Sequence, residues 1–64
     1  MAITVDPEIQ QQLKDQRLKQ LAAYYYELQM NKVAFEANGK TEQAEEMAKL
    51  MSETETSYNA IQAM

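Results

Sequence analysis

The stretch Asn38-Gly39-Lys40-Thr41-Glu42 decides the fold. Gly39 is the only glycine of the chain, and Asn-Gly after a long run of helix formers predicts a helix end, because glycine adopts the left-handed conformation that closes a helix. Thr41 followed by Glu42 predicts the cap and acidic first turn of a new helix. Only Gly39 and Lys40 separate the end of the first helix at Asn38 from the predicted cap of the second at Thr41. So short a connection folds two helices back against each other in antiparallel fashion.

The first helix is predicted to start at Asp6-Pro7-Glu8. Asp6 can accept hydrogen bonds from the free N–H groups of the first turn, and Pro7 suits the first helical position. Glu8 complements the positive end of the helix dipole. With Gly39 as the stop, the first helix is expected to cover about residues 7–38.

The second helix is expected to cover about residues 42–62. Its weakest part is residues 52–57, which are rich in Ser and Thr, and these are mediocre helix formers. We expect packing to keep this part helical. Residues 1–5 are predicted to form an extended N-terminal arm. The sequence therefore predicts one all-α helical-hairpin domain over residues 1–64.

Composition excludes several classes of fold and site. One glycine and one proline are too few turn residues for a multi-stranded β fold. The chain has no cysteine and no histidine, which excludes disulfides and removes the usual zinc and haem ligands. A core built from 64 residues is marginal by itself. Association with another chain is the stabilising device that remains.

A coiled-coil seam is predicted between the two helices, since apolar residues recur at alternating steps of three and four. In the first helix this hairpin core comprises Leu18, Leu21, Tyr25, Leu28 and Phe35, interrupted by Lys32. In the second helix it comprises Met47, Met51, Tyr58 and Ile61, with Ala44 and Thr54 on the same line. Folding about Gly39 tends to place large residues of one helix opposite small residues of the other, as with Phe35 and Ala44 or Tyr25 and Thr54.

A second apolar line runs along the first helix, and we call it the back stripe: Ala22, Tyr26, Met30, Val33 and Ala37. It lies well over 100° around the helix from the seam, at about 100° per residue. A lone hairpin would expose it, and contiguous exposed apolar patches mark interfaces.

The first helix is also expected to overhang the second by residues 7–15, which carry Ile9 and Leu13. The predicted oligomer interface therefore consists of Ile9, Leu13, Ala22, Tyr26, Met30, Val33 and Ala37. The expected assembly is a homodimer that forms a four-helix bundle.

Three consecutive tyrosines, Tyr24, Tyr25 and Tyr26, stand out on the first helix. They point about 100° apart, so they cannot form one flat stacking platform. Packing explains them better than base or ligand stacking. Tyr24 and Tyr25 are expected on the hairpin side, and Tyr26 belongs to the back stripe.

Catalytic, cofactor and metal sites are not indicated. Nucleophilic catalysis needs an activated Ser, Cys or Lys beside a base, and a single glycine cannot form a phosphate-binding loop. Glu45 and Glu46 fall in the first turns of the second helix, where the helix dipole accounts for them. A di-iron bundle would also need histidine. We therefore expect no enzymatic activity, no cofactor and no metal.

Lys14, Arg17 and Lys19 form the one basic cluster. They can be a solvated surface that pairs with Asp15 or with the acidic second helix of a partner. The alternative is an RNA-binding helical-hairpin dimer that uses this surface. The net charge of −4, with its excess in residues 41–64, argues against nucleic acid, because phosphate contacts require clustered Lys and Arg.

The sequence thus favours a non-enzymatic structural or protein-interaction module. The expected partner is a second copy, with another protein as a further partner. No membrane contact is expected, since no apolar run approaches roughly 18 residues. The first residues lack the pattern of a secretion signal, so we expect a cytoplasmic location. Small acidic hairpins would suit an accessory protein of a phage or other mobile element, although no residue indicates that origin.

Overall fold

The computed structural model describes residues 3–64, and in that range the chain is an all-α helical hairpin without strands. Helix α1 spans Pro7–Ala37 and helix α2 spans Thr41–Gln62, and the two pack against each other. The Ser- and Thr-rich residues 52–57 are helical throughout, as predicted. Neither helix of the described part has an apolar stretch long enough to cross a bilayer.

The start of α1 is built as predicted. The Asp6 carboxylate accepts a hydrogen bond from the Glu8 backbone N–H at 2.8 Å, and Pro7 occupies the first turn. Residues 3–6 have no regular secondary structure, and the Gln10 side chain ties them to the helix by donating to the Val5 carbonyl at 2.9 Å. Residues 1 and 2 of the predicted arm lie outside the described residues.

The turn between the helices is closed by two backbone hydrogen bonds. The Lys40 N–H donates to the Phe35 carbonyl at 2.8 Å, and the Gly39 N–H donates to the Glu36 carbonyl at 3.1 Å. This is the Schellman pattern, which needs a left-handed residue at its centre. Gly39 has a φ of 72° and supplies that conformation without strain. The prediction that Gly39 ends α1 is confirmed.

The predicted cap of α2 is wrong by one residue. Thr41 is already helical, and the N-cap is Lys40, which makes no side-chain capping bond. The turn explains the difference, because the Lys40 carbonyl accepts the first helical bond of α2, from the Ala44 N–H at 3.1 Å. Residue 41 is thus drawn into the first turn, where a threonine hydroxyl cannot act as the cap.

The core is a single thin layer between the helices. Only Leu28, Ala44 and Thr54 are buried among the described residues. The other residues of the predicted hairpin core are half-buried: Leu18, Leu21, Tyr25, Phe35, Met47, Met51, Tyr58 and Ile61. Lys32, which interrupts the seam, is half-buried as well, and its Nζ lies 3.0 Å from Glu36 Oε1 on the same helix.

The hairpin is long and narrow, with extents of 52 × 18 × 18 Å. Helix α1 has 31 residues and α2 has 22, so the first turns of α1 have no helix opposite them. The Lys14 ammonium donates to the Met64 carbonyl at 2.9 Å, which brings the last residue of the chain into the predicted overhang. Residues 7–13 extend beyond that contact.

Candidate interaction surface

The back stripe lies on the outer side of α1. Its five residues are all exposed, and the three large side chains retain 60% (Tyr26), 49% (Met30) and 62% (Val33) of their accessible surface. The stripe is centred about 130° around the helix from the seam, counting about 100° per residue. Helix α2 therefore cannot cover it.

The back stripe is bounded at both ends of its line along α1. On the same line of α1, before Ala22, the residues are Lys19, Asp15, Gln12 and Glu8, all charged or polar. Beyond Ala37 the helix ends. The back stripe is therefore confined to residues 22–37, a length of about 24 Å at 1.5 Å per residue.

Helix α2 contributes no comparable surface. The exposed large apolar side chains of the described residues lie on α1, in the arm and at the last residue, and none lies within Thr41–Gln62. The acidic side chains of α2 lie on its exposed part: Glu42, Glu45, Glu46, Glu53 and Glu55. The hairpin thus has one apolar outer face, on α1, whereas the exposed surface of α2 is acidic.

Ile9 and Leu13, the other two residues of the predicted interface, are exposed on the overhang. Leu13 borders an open cleft of about 790 Å³ together with Ile61 and Met64, and the polar rim of this cleft includes Arg17. Ile9 does not line the cleft. The structure therefore places these two residues apart from the back stripe, whose line continues before Ala22 with polar residues only.

The three tyrosines differ in their exposure. Tyr25 is half-buried in the seam and Tyr26 is exposed on the back stripe. Tyr24 is exposed as well, because residue 24 lies about 70° from the centre of the seam, on the hairpin side but at the margin of contact with α2. A single helix opposite α1 is too narrow to cover that position.

The basic cluster is divided by the fold. Lys14 is half-buried and bonded to the Met64 carbonyl, whereas Arg17 and Lys19 are exposed. Asp15, the expected internal partner of the cluster, accepts a bond from the Gln11 side chain at 2.8 Å. Within residues 3–64 the one ion pair is Lys32–Glu36.

Leu50 is a packing residue that sequence reasoning missed. It is half-buried, and its carbonyl accepts the Thr54 hydroxyl at 2.7 Å. A strict coiled-coil line passes through Met51 and omits Leu50, whereas the broader apolar face of an ordinary amphipathic helix, at least about 100° wide, includes both. The broader pattern would have found it.

The described residues contain no group of three or more acidic, histidine or cysteine side chains that could hold a metal ion. In comparisons with known proteins, no family model, no curated protein and no solved structure matches the chain.

Proposed function

We propose that this protein is a non-enzymatic interaction module that works as a homodimer. Two hairpins associate through the back stripes of their α1 helices and form a four-helix bundle with the α1 pair at its centre. The outer surfaces, including the acidic α2 helices, are then available to a protein partner. The observation that carries this proposal is the contiguous exposure of Tyr26, Met30 and Val33.

The surface area of the hairpin supports association. Its accessible surface is 5340 Å², whereas a compact monomer of 7.4 kDa is expected to expose only about 4,200 Å². The radius of gyration, 15.7 Å, likewise exceeds the roughly 11 Å expected for a compact domain of this length. The excess of about 1,100 Å² is comparable with the roughly 800 Å² that each partner buries in a standard interface.

Charge supports α1 as the docking helix. Helix α2 carries five acidic residues against the single cation Lys49, while the charges of α1 balance at four of each sign. A dimer joined through α2 would bring two acidic helices together, and like charges across an interface are strongly unfavourable. Docking through α1 keeps the two α2 helices on opposite sides.

The test is Met30→Glu, compared with Asn31→Glu as the matched control. Asn31 is exposed and lies about 100° from Met30 around the helix, off the stripe. We expect the wild type and Asn31→Glu to sediment as dimers at about 50 μM, where a dimer of ordinary interface size is populated. Met30→Glu should sediment as a monomer, because it places a carboxylate in the apolar contact.

A wild-type monomer at that concentration with full helicity would overturn the proposal. RNA binding by the dimer is the alternative function. It would be recognised by an affinity that falls steeply with salt, whereas binding to a protein through apolar contacts depends on salt much less.

A further inference from the structure

We infer that the two hairpins dock antiparallel, across a two-fold axis beside Met30, with residues 22–37 of each α1 as the contact. The inference rests on the proposed dimer and adds its orientation and register. Two observations carry it: the symmetry of the back stripe and the charges that precede it.

The back stripe of one copy can pack against the back stripe of a second copy that runs in the opposite direction. In an antiparallel pair, facing residues have numbers whose sum is constant to within about one residue. Ala22 with Ala37 and Tyr26 with Val33 both give 59, and Met30 with its own copy gives 60. One register therefore uses every residue of the stripe. It sets the large Tyr26 against the smaller Val33 on both sides of Met30, as even packing requires.

Parallel docking would set each residue against its own copy. Tyr26 would then face Tyr26, and the line would continue into Lys19, Asp15 and Glu8. Each of these would meet an identical charge, and like charges across an interface are unfavourable. The antiparallel register ends the contact at Ala22 and leaves those charges outside it.

By the same sums, Lys19 lies across from Lys40 and Thr41 of the second copy, at the turn that follows its α1 helix. This like-charge pair lies beyond Ala22 and Ala37, at the edge of the contact, where solvent and salt screen it.

The two orientations give dimers of different length. Met30 lies about 14 Å from the turn at 1.5 Å per residue, and the hairpin is 52 Å long. An antiparallel dimer is therefore about 75 Å long, whereas a parallel dimer in register keeps the length of one hairpin. Ile9 and Leu13 lie at the two far ends of the antiparallel dimer, outside the contact.

The chain has no cysteine, so single cysteines report the orientation directly. We would oxidise Met30→Cys alone, Tyr26→Cys alone, Val33→Cys alone, and an equal mixture of the last two, after circular dichroism has shown each variant to be helical. Intact mass separates the homodimers from the mixed dimer. Ser52→Cys, on the exposed side of α2, measures random oxidation.

Met30→Cys should cross-link with itself in either orientation and so reports the dimer. In the antiparallel dimer two copies of residue 26 lie about 11 Å apart along the helices, too far for a disulfide. The mixture should then yield the mixed dimer well above the roughly twofold excess over either homodimer that random pairing gives, because only residues 26 and 33 of opposite copies meet the distance limit of a disulfide.

Efficient homodimers of Tyr26→Cys and of Val33→Cys would overturn the antiparallel orientation and leave the proposed dimer standing. A Met30→Cys variant that cross-links no more than Ser52→Cys, in a protein that sediments as a monomer, would overturn both. If the protein sediments as a dimer but cross-linking is weak, small-angle X-ray scattering decides. A maximum dimension near 75 Å supports the inference, and one near 52 Å contradicts it.

Discussion

Leu28 and Thr54 show how a thin core is filled at the level of single residues. Leu28 retains 4% of its surface and is the one large apolar side chain that is buried in the described chain. Thr54 is buried although it is polar, because its hydroxyl donates to the Leu50 carbonyl one turn earlier. A buried hydroxyl without a partner would be costly. The internal bond makes Thr54 acceptable at a seam position.

Leu28→Ala is expected to lower the free energy of unfolding by about 2–5 kcal/mol, because it removes a fully packed side chain. That is a large part of the stability of so small a domain. Leu13→Ala is the matched control, since Leu13 is 56% exposed, and the same change there should cost little. Thermal unfolding followed by circular dichroism measures both. Equal losses would contradict the burial described for the seam.

The side chains of the seam could be anticipated from spacing, but their degree of burial could not. Periodicity places Leu28 and Tyr24 within about 40° of each other on one side of α1, yet one is buried and the other exposed. The difference depends on how far a single opposing helix reaches. How far α2 covers α1 depends on how the two helices pack, and the spacing of apolar residues along α1 alone does not predict it.

At the level of elements, Gly39 forms the turn that lets α2 fold back along α1. Its φ of 72° lies in the left-handed region, and a Cβ placed there would meet no atom within 4 Å apart from those of its two chain neighbours. A residue with a side chain at position 39 would therefore destabilise the turn through its left-handed backbone conformation and not through steric contacts. This distinction allows the turn to be tested without disturbing the packing around it.

Gly39→Ala is expected to lower the free energy of unfolding by about 1–2 kcal/mol, the cost of the left-handed conformation for a residue with a Cβ. Gly39→Asn should cost clearly less, because asparagine tolerates that conformation. Denaturant unfolding of the two variants gives the comparison. If both cost the same, the left-handed conformation is not the reason for glycine at this position.

The ends of the helices were predictable wherever the local sequence controls them. Asp6-Pro7 begins α1 and Gly39 ends it as expected. Thr41 was misread because its position depends on the turn. The Schellman bonds of Gly39 and Lys40 bring the first turn of α2 forward by one residue. The capping preference of threonine, taken from sequence alone, does not account for the hydrogen bonds of the turn before it.

At the level of the whole molecule, the hairpin has more outer surface than core. Its one apolar outer face is on α1. Periodicity predicted that face from Ala22 to Ala37, and the structure shows it exposed. What covers it could not be read from periodicity, since spacing along one chain shows that a face is apolar and not which molecule binds there. The dimer therefore stays a proposal.

If folding and dimer formation are coupled, the melting temperature should rise with protein concentration, because only folded chains associate into the dimer. We expect a rise of several degrees between about 5 and 500 μM for the wild type. Met30→Glu should melt lower and at the same temperature throughout that range. Differential scanning calorimetry measures both. Wild-type melts that coincide at all concentrations would show that each hairpin is stable alone.

The short turn between α1 and α2 is also expected to set the order in which the hairpin forms. Contacts beside Gly39 close very short loops, and short loops close at little entropic cost. The seam can then extend turn by turn until Lys14 reaches the Met64 carbonyl. Folding by such local steps is fast. The end of the hairpin farthest from Gly39 is consequently the last part to form and the first to open.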